Sequence, residues 1–457
     1  MSPLCRSRRA RILRGCLAAF AGSAVLAGPV RAEDPPGGDR SERERVTLAE
    51  LDAEPVSMAE LTLAAGPLRP VGPDFLALPL RGGTGAQWRF AGGDEAGWRW
   101  QLGGFALDRR DGRFDLDGSS LSVPVGPGRA YVSVQRRHWG PSRIGSLILD
   151  GGARAVPAIG WRKTSAALFG PPALSWLGPW RADVFAGQLS NSTGPGQVKL
   201  LGARLEVEPL DGLEIGASRV MQWGGAGRSE SLPSLLRGIA GADNFGSGSS
   251  FEPGNQLGGF DLRYTLRLDE RQAIAVHGQA IGEDEAHQLP SRYLGSVGAE
   301  LSAALEGGTA LDLFVEAANT TAGGAFGRPE PGTAYQHPLY AAGYVQRDVP
   351  LGHPAGGDVR LLTAGLQLAR GPLRVLLMAH GGSALSPTPT LRVAGSVRGL
   401  DADLQVLLPQ GFRLGLVLTH WRDALGRRSA AQLRWRVPLE RLVPTPAARS
   451  AWRAGSS

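Results

Sequence analysis

Alternation of apolar and polar residues over segments of about ten residues is the feature that most constrains this chain. In residues 260–268, apolar side chains occupy every second position, and charged residues such as Asp261 and Arg263 lie between them. Successive side chains of a β-strand point to opposite faces, so such a segment has one apolar and one charged face. The pattern recurs in residues 293–305, 392–408, 411–422 and 428–437. The chain is therefore predicted to be all-β.

The first 32 residues are predicted to be a secretory signal peptide. Basic residues without acidic ones flank the apolar run 15–30, and Val30-Arg31-Ala32 forms a small-x-small cleavage site. Both cysteines, Cys5 and Cys16, lie in this segment, so the exported chain has neither disulfides nor thiol ligands. Six of the 49 basic residues lie here, which leaves 43 against 42 acidic ones and removes the main argument for a nucleic-acid partner.

Three features favour a closed membrane barrel over a soluble β-sandwich. The polar faces carry full charges, as a water-filled lumen permits, and the exported chain lacks cysteine. Short and long connections alternate, from the turn at Asp269-Glu270 to the long loops 223–256 and 319–357. Because unpaired backbone groups are unfavourable in lipid, a spanning sheet must close on itself. Short turns should face the periplasm, so the two long loops are predicted to face outward.

The predicted architecture is a closed antiparallel transmembrane β-barrel of about 16–18 strands over residues 88–438. Residues 33–87 are predicted to form a flexible tether and a short periplasmic helical segment. The helical part is expected within 46–65, where apolar residues have loosely helical spacing around Pro55. Residues 439–457 are predicted to be a periplasmic C-terminal tail. The predicted location is the outer membrane, with membrane lipid as a partner.

Five tracts of this chain resemble, in the same order, motifs of the capsule assembly Wzi family of outer-membrane proteins. The most distinctive tract runs from His138 to Asp150 as HWGPSRIGSLILD. The others are residues 173–180, 213–228, 243–263 and 335–344. Several residues of these tracts are predicted to shape tight turns of the backbone. We interpret these residues as structural and not as binding residues. They are Trp139, Gly140, Pro141, Trp176, Gly178, Trp223, Gly224 and Gly225.

The resemblance implies an eighteen-stranded outer-membrane barrel with a small periplasmic helical part. It also implies a non-enzymatic function in the assembly and retention of capsular or other surface polysaccharide, with lectin-like binding. Polysaccharide export machinery is a further implied partner. Residues 81–91 are candidates for additional strands. Two features depart from the family pattern: the N-terminal helical region is short, and the chain continues through 439–457 beyond the last strand.

Candidate polysaccharide contacts lie in the long loop 319–357 and on neighbouring strands. Sugars stack on aromatic rings and accept hydrogen bonds from arginine, which also suits acidic capsules. The candidates are Tyr335, His337, Tyr340 and Tyr344 in the loop, and Arg263, Arg267 and Arg360 at lumenal or rim positions. The alternative is that the tyrosines only pack the loop as a plug.

Motifs of catalysis are missing from the sequence. It contains neither a Walker A motif nor H-E-x-x-H nor G-x-S-x-G, and its seven histidines have no metal-ligand spacing. No cofactor, metal or catalytic residue is therefore predicted. Two alternatives stay open: a general outer-membrane porin, and an outer-membrane hydrolase that uses a pair of carboxylates.

Overall fold

A computed structural model of the chain defines the fold. It describes residues 58–65, 73, 75–76, 84–94, 96–107, 113–168, 171–239, 254–286, 289–324 and 326–438. The predicted signal peptide, 1–32, and the predicted tail, 439–457, lie outside these residues. None of the helices in the described ranges is long and apolar enough to span a membrane.

Most regular structure in the described residues is β-strand. The strands, numbered in chain order, are β1 (Met58–Ala65), β2 (Gly85–Gly93), β3 (Arg99–Leu107), β4 (Arg113–Asp115), β5 (Ser119–Val125), β6 (Gly128–Val134), β7 (Ala158–Leu168), β8 (Pro179–Gln188), β9 (Lys199–Leu210), β10 (Leu213–Trp223), β11 (Gly254–Arg267), β12 (Gln272–Ala286), β13 (Leu289–Leu305), β14 (Thr309–Asn319), β15 (Val345–Gln346), β16 (Val349–Pro350), β17 (Val359–Arg370), β18 (Leu373–Ala384), β19 (Gly395–Leu407), β20 (Arg413–Asp423) and β21 (Gly426–Pro438). An α-helix, α1 (Leu232–Ile239), lies between β10 and β11. Short 3₁₀ helices occur at Pro172–Leu177 and Pro409–Gly411.

The strands close into one antiparallel barrel. Strand β1 pairs with both β2 and β21, so that Leu61 faces Trp88 on one side and Val437 on the other. Strands β4 and β5 pair with opposite ends of β3 and share one position in the wall. Strands β15 and β16 form a separate ribbon between β14 and β17. The wall therefore has 18 strand positions, which confirms the predicted barrel.

The wall is apolar outside and polar inside. In β11, Phe260 and Leu262 are 64% and 44% exposed on the outer face, whereas Asp261 and Arg263 are 6% and 3% exposed on the inner face. An apolar side chain is stable in contact with lipid, and a charged one is stable in the lumen when it has a partner. The alternation seen in the sequence thus corresponds to a lipid-facing and a lumen-facing side.

The buried apolar core lies inside the lumen. One cluster surrounds Leu147, Ile148 and Tyr335, and a second surrounds Phe75 and Trp421. In the second, Phe75 stacks on His380 with ring centroids 4.7 Å apart. The barrel is therefore a wall around a packed interior.

The two ends of the barrel differ in their connections. At the short-turn end, brief connections such as 211–212 and 371–372 join neighbouring strands. The long-loop end carries the connections 135–157, 189–198 and 320–358. The alternation that the sequence indicated holds for these connections, but the two-residue connection 424–425 between β20 and β21 also lies at the long-loop end. That the long-loop end faces outward stays a prediction.

The prediction of short helices within 46–65 is wrong for residues 58–65, which form β1. Residues 46–57 lie outside the described part of the chain. Leu61 and Leu63 also fit a two-residue period, and the closure of the barrel decides between the two patterns. Without β1, strands β2 and β21 would leave unpaired backbone groups in lipid. The wall therefore begins at Met58, well before residue 88.

Candidate functional site

Two connections of the long-loop end fold back into the barrel and fill that half of the lumen. We call residues 135–157 and 320–358 the plug. Leu147, Ile148 and Tyr340 of the plug have at most 1% of their surface exposed. Empty barrels of about this size enclose an aqueous channel. The plug replaces that channel with packed side chains.

Glu316 of β14 anchors the first plug segment. Its carboxylate accepts hydrogen bonds from the Ser142 hydroxyl and from the backbone N–H groups of Arg143 and Ile144, the latter two at 2.7 and 3.2 Å. Hydrogen bonds to an ionised acceptor are stronger than those between neutral groups. Because Glu316 is buried, these donors replace the water that would otherwise solvate its charge.

Gln279 of β12 holds the next part of the same segment. Its side-chain oxygen accepts a hydrogen bond from the Leu147 N–H, and its side-chain nitrogen donates to the Trp139 carbonyl, both at 2.7 Å. Gly140 lies against this amide with φ +152°, and a Cβ atom there would be 2.6 Å from Gln279 Nε2. The backbone path therefore favours glycine at this position. Trp139 and Pro141 are buried beside it.

The two plug segments are joined by tyrosine hydroxyls. Tyr335 donates to the Leu147 carbonyl and Tyr344 to the Ile148 carbonyl, each at 2.7 Å. The two phenol rings stack with centroids 5.9 Å apart. Burial raises the pKa of both hydroxyls above the ordinary value, so both remain protonated donors. The tract 138–150, called the HWGPS tract, and the loop that carries these tyrosines therefore form one structural unit.

Buried ion pairs tie the plug to the wall. Arg143 of the plug lies 3.2 Å from one Glu300 oxygen and 3.6 Å from Asp312, and Arg263 of β11 lies 2.7 Å from the other Glu300 oxygen. All four side chains are at most 8% exposed. Removing one partner of a buried pair leaves an uncompensated charge, so the members of this network depend on one another.

A second network uses Asp115 of β4, which contacts an arginine from each plug segment. Arg154 lies 2.7 Å from Asp115 and 2.9 Å from Asp117, and Arg347 also pairs with Asp115. Both aspartates are buried, so the guanidinium groups compensate their charge. The wall therefore fixes both plug segments at this point.

The structure distributes the predicted polysaccharide contacts over several places. Tyr335, Tyr340 and Tyr344 are buried, and the Tyr340 hydroxyl points to the carbonyls of Gln222 and Gly224 at 3.3 and 3.4 Å. This arrangement agrees with the alternative in which the tyrosines pack the loop.

The other four candidates lie elsewhere. His337 is half-buried at the long-loop end, Arg263 belongs to the ion pairs with Glu300, and Arg267 and Arg360 are exposed at opposite ends of the wall. The seven residues therefore do not form one site, and their role in binding stays a prediction.

The remaining motif residues lie at both ends of the barrel. Trp176 is 68% exposed at the short-turn end, next to Gly178. Gly178 has φ +71°, and a Cβ atom there would be 1.9 Å from the Glu208 carbonyl oxygen. Trp223 closes β10 at the long-loop end, where Gly224 and Gly225 follow with positive φ. The positive φ angles show a backbone constraint at these glycines, and the structural role of Trp176 and Trp223 stays a prediction.

Polar surface remains where the plug meets the connection 189–198. Ser192 donates from its N–H and its hydroxyl to Asp348 at 3.1 and 2.8 Å, and Asn191 donates to the Val345 carbonyl at 2.9 Å. Gly194 lies beside Ala342, so the two connections adjoin. The mouth surface comprises Asn191, Ser192, Gln336, His337, Arg347 and Asp348.

Sequence reasoning found only His337 of the mouth surface. The polar run Asn191-Ser192-Thr193-Gly194 between two strands was the available signal, because it has the composition of an exposed turn.

In the described ranges, no group of three or more metal-ligating side chains could hold a metal ion. The site offers amide, hydroxyl, imidazole, guanidinium and carboxylate groups for hydrogen bonding.

Known proteins that are similar to this chain include a curated relative and a solved structure. An uncharacterised 55.8 kDa protein from the cps region of Klebsiella pneumoniae is 40% identical over 163 residues, which are 35% of this chain and 32% of that protein. The match thus spans about a third of the relative's length. The solved structure of Wzi, an outer-membrane protein of Escherichia coli, has 25% identity, a TM-score of 0.72 and 86% coverage of each chain. That protein is described as a carbohydrate-binding β-barrel involved in group 1 capsule assembly.

The fold and the family model lead to the same assignment. A closed barrel with an apolar outer face and a charged lumen is an outer-membrane architecture, which places the protein in that membrane. The sequence model of the capsule assembly protein Wzi matches residues 74–369, more than half of the 457 residues. The chain therefore belongs to the capsule assembly protein Wzi family.

Proposed function

We propose that this protein binds capsular or another surface polysaccharide at the mouth surface. It thereby helps to assemble and retain the polymer at the cell, without catalysing a reaction. The observation that carries this proposal is the plug. Packed side chains occupy the half of the lumen nearest the long-loop end, and hydrogen-bonding groups remain exposed above them.

The chemistry of the mouth surface suits a sugar polymer. Gln336 and Asp348 are exposed and offer donors and acceptors to sugar hydroxyls, and Arg347, whose guanidinium pairs with Asp115, adds further N–H donors on its partly exposed side. The solved Wzi structure, which has the same fold, is described as carbohydrate-binding. The long-loop end would then face the cell exterior, where the polymer is held.

The porin alternative requires a continuous aqueous path through the barrel. The bonds of Glu316 and Gln279 to the plug oppose such a path, because opening it would leave buried polar groups without partners. A large steady conductance would favour the porin, and a closed barrel favours binding.

The hydrolase alternative requires two carboxylates on either side of a substrate cleft. Glu300 and Glu316 are buried and engaged by arginine or backbone donors, and Asp183 is paired with Arg162 at 2.7 Å. Asp348 is the carboxylate of the mouth surface. This arrangement favours binding over hydrolysis.

The test compares cell-bound and released polysaccharide in cells with and without the protein. Deletion should release polymer into the medium while total synthesis continues. The double variant Gln336→Ala with Asp348→Ala should reproduce much of this release. Arg328→Ala, an exposed position of the plug outside the mouth surface, is the matched control and should retain polymer as the parent does. Unchanged retention after deletion would contradict the proposal.

Membrane lipid and polysaccharide export machinery are the further proposed partners. The export machinery would meet the short-turn end, where Trp176 is exposed. A photo-cross-linker at Trp176 should capture an export component in capsulated cells. A cross-linker at Arg328, at the other end, should not. Capture from Arg328 alone would oppose this arrangement.

A further inference from the structure

Helix α1 lies against the outer side of the wall at the long-loop end. The alternation of β10 and β11 places Trp223 and Gln256 on the outer face, in line with lipid-exposed Phe260. Trp223 and Gln256 are nevertheless only 9% and 6% exposed. Trp223 Nε1 donates to the Ser234 hydroxyl at 3.3 Å. The helix therefore covers a patch of the barrel's exterior.

Side chains of the outer wall fasten the C-terminal end of α1. Arg219 donates to the carbonyls of Ile239 and Gly238 at 2.9 and 3.2 Å, and Gln256 donates to Gly238 at 2.8 Å. Arg219 Nε also donates to Gln256 at 2.8 Å. A cation at the C-terminus of a helix satisfies its last carbonyls and opposes its dipole. The orientation of α1 is therefore fixed relative to the wall.

The other side of α1 is apolar and exposed. Leu232, Leu236 and Ile239 are 65%, 56% and 54% exposed, and their spacing of four and three residues places them on one face. Gly238, on the wall side, is buried. Arg237 lies in the last turn next to the apolar face. This pattern is typical of a helix that lies in a membrane interface.

We propose that α1 is an interfacial helix whose Leu232, Leu236 and Ile239 face inserts into the lipid leaflet at the long-loop end. Phe260 is the lipid-exposed side chain of β11 nearest this rim, and the next outward positions, Gly258 and Gln256, lead to α1, so the apolar face of α1 extends an existing bilayer contact. Arg237 is exposed beside this face and is placed to meet anionic lipid headgroups. The helix thus adds a lateral lipid-binding surface to a barrel whose mouth is directed to polysaccharide.

Nitroxide labels on single cysteines test this proposal in the exported chain, reconstituted in liposomes. Residues 33–457 contain no cysteine, because Cys5 and Cys16 both lie within the predicted signal peptide. Labels at Leu236→Cys should collide with oxygen, which concentrates in lipid, several-fold more than with a water-soluble nickel complex. Leu262→Cys on the lipid face is the lipid reference, and Arg328→Cys in the plug is the aqueous reference.

The expected result is a lipid-like ratio at Leu232→Cys and Leu236→Cys, with a lower ratio at Arg237→Cys on the same helix. A ratio at Leu236 equal to that at Arg328 would overturn the proposal, because the face would be in water. Low accessibility to both reagents would also overturn it, since protein would then cover the face. Dipolar broadening between labels would assign the face to a second copy of the chain and likewise contradict lipid insertion.

Discussion

The wall and the plug are held together in different ways. Neighbouring wall strands pair through the backbone, as β10 and β11 do along 11 residue pairs. The plug is held by individual ion pairs and hydrogen bonds between residues far apart in the chain, such as Leu147 with Gln279 at a separation of 132 residues and Tyr344 with Ile148 at 196. The wall is therefore specified by a local repeating pattern, and the plug by a few polar contacts across the lumen.

Glu316→Ala should produce the largest difference in local stability between the plug and the wall. Its loss leaves the Ser142 hydroxyl and two backbone N–H groups without their acceptor, which destabilises the plug by about 1–3 kcal/mol for each donor that stays unsatisfied. Hydrogen exchange should accelerate for the amides of residues 142–150 and remain slow in β11. Glu316→Gln keeps one acceptor oxygen and should lose less. Equal acceleration in plug and wall would show that they are one cooperative unit.

Leu262→Arg should destabilise the wall and leave the plug contacts in place. A cation on the lipid face near the middle of the membrane costs about 2–4 kcal/mol. Leu262→Ala, which introduces no charge, is the control and should lose much less. Reversible unfolding in liposomes measures the difference. Equal stability of the two variants would mean that this face does not contact lipid.

Gly140→Ala should destabilise the plug by about 1–3 kcal/mol, since φ +152° is unfavourable for alanine and the added Cβ meets the Gln279 amide. Gly196→Ala is the matched control in an exposed connection of the same end, where nothing lies within 4 Å of the new Cβ. Local hydrogen exchange at Leu147 reports the loss. If both alanine variants behave alike, the tract does not depend on this contact.

Tyr335→Phe should have the smallest effect, about 1–2 kcal/mol, because it removes the hydrogen bond to the Leu147 carbonyl and the longer one, at 3.3 Å, that the hydroxyl accepts from the His353 N–H. Tyr344→Phe removes the equivalent bond to Ile148. Since the two rings stack, the double variant should deviate from the sum of the single ones. Hydrogen exchange of the plug amides measures all three. Strict additivity would indicate that the two segments are held independently.

The sequence predicted the wall because its pattern is local. The alternation in 257–268 and 428–437 corresponds closely to β11 and β21, and the resemblance to the Wzi family implied the eighteen strands. Strand β1 was missed because its assignment depends on β21, whose partner residues lie about 370 positions away in the chain.

The site was harder to predict for the same reason. Glu316 and Gln279 look in the sequence like any polar residue on a lumenal face, and their role appears only when the HWGPS tract folds beneath them. The tyrosines of 335–344 were correctly placed in a long loop, but their aromatic character did not reveal whether they face solvent or the lumen. Burial is a property of the assembled barrel, which no local pattern encodes.

Conductance across a planar lipid bilayer tests the central claim that the plug closes the barrel and leaves recognition to the mouth surface. The parent protein should show no steady open channel, and Glu316→Ala should show openings as the plug loosens. A large steady conductance in the parent protein, unchanged by Glu316→Ala, would contradict the account and identify the barrel as a porin.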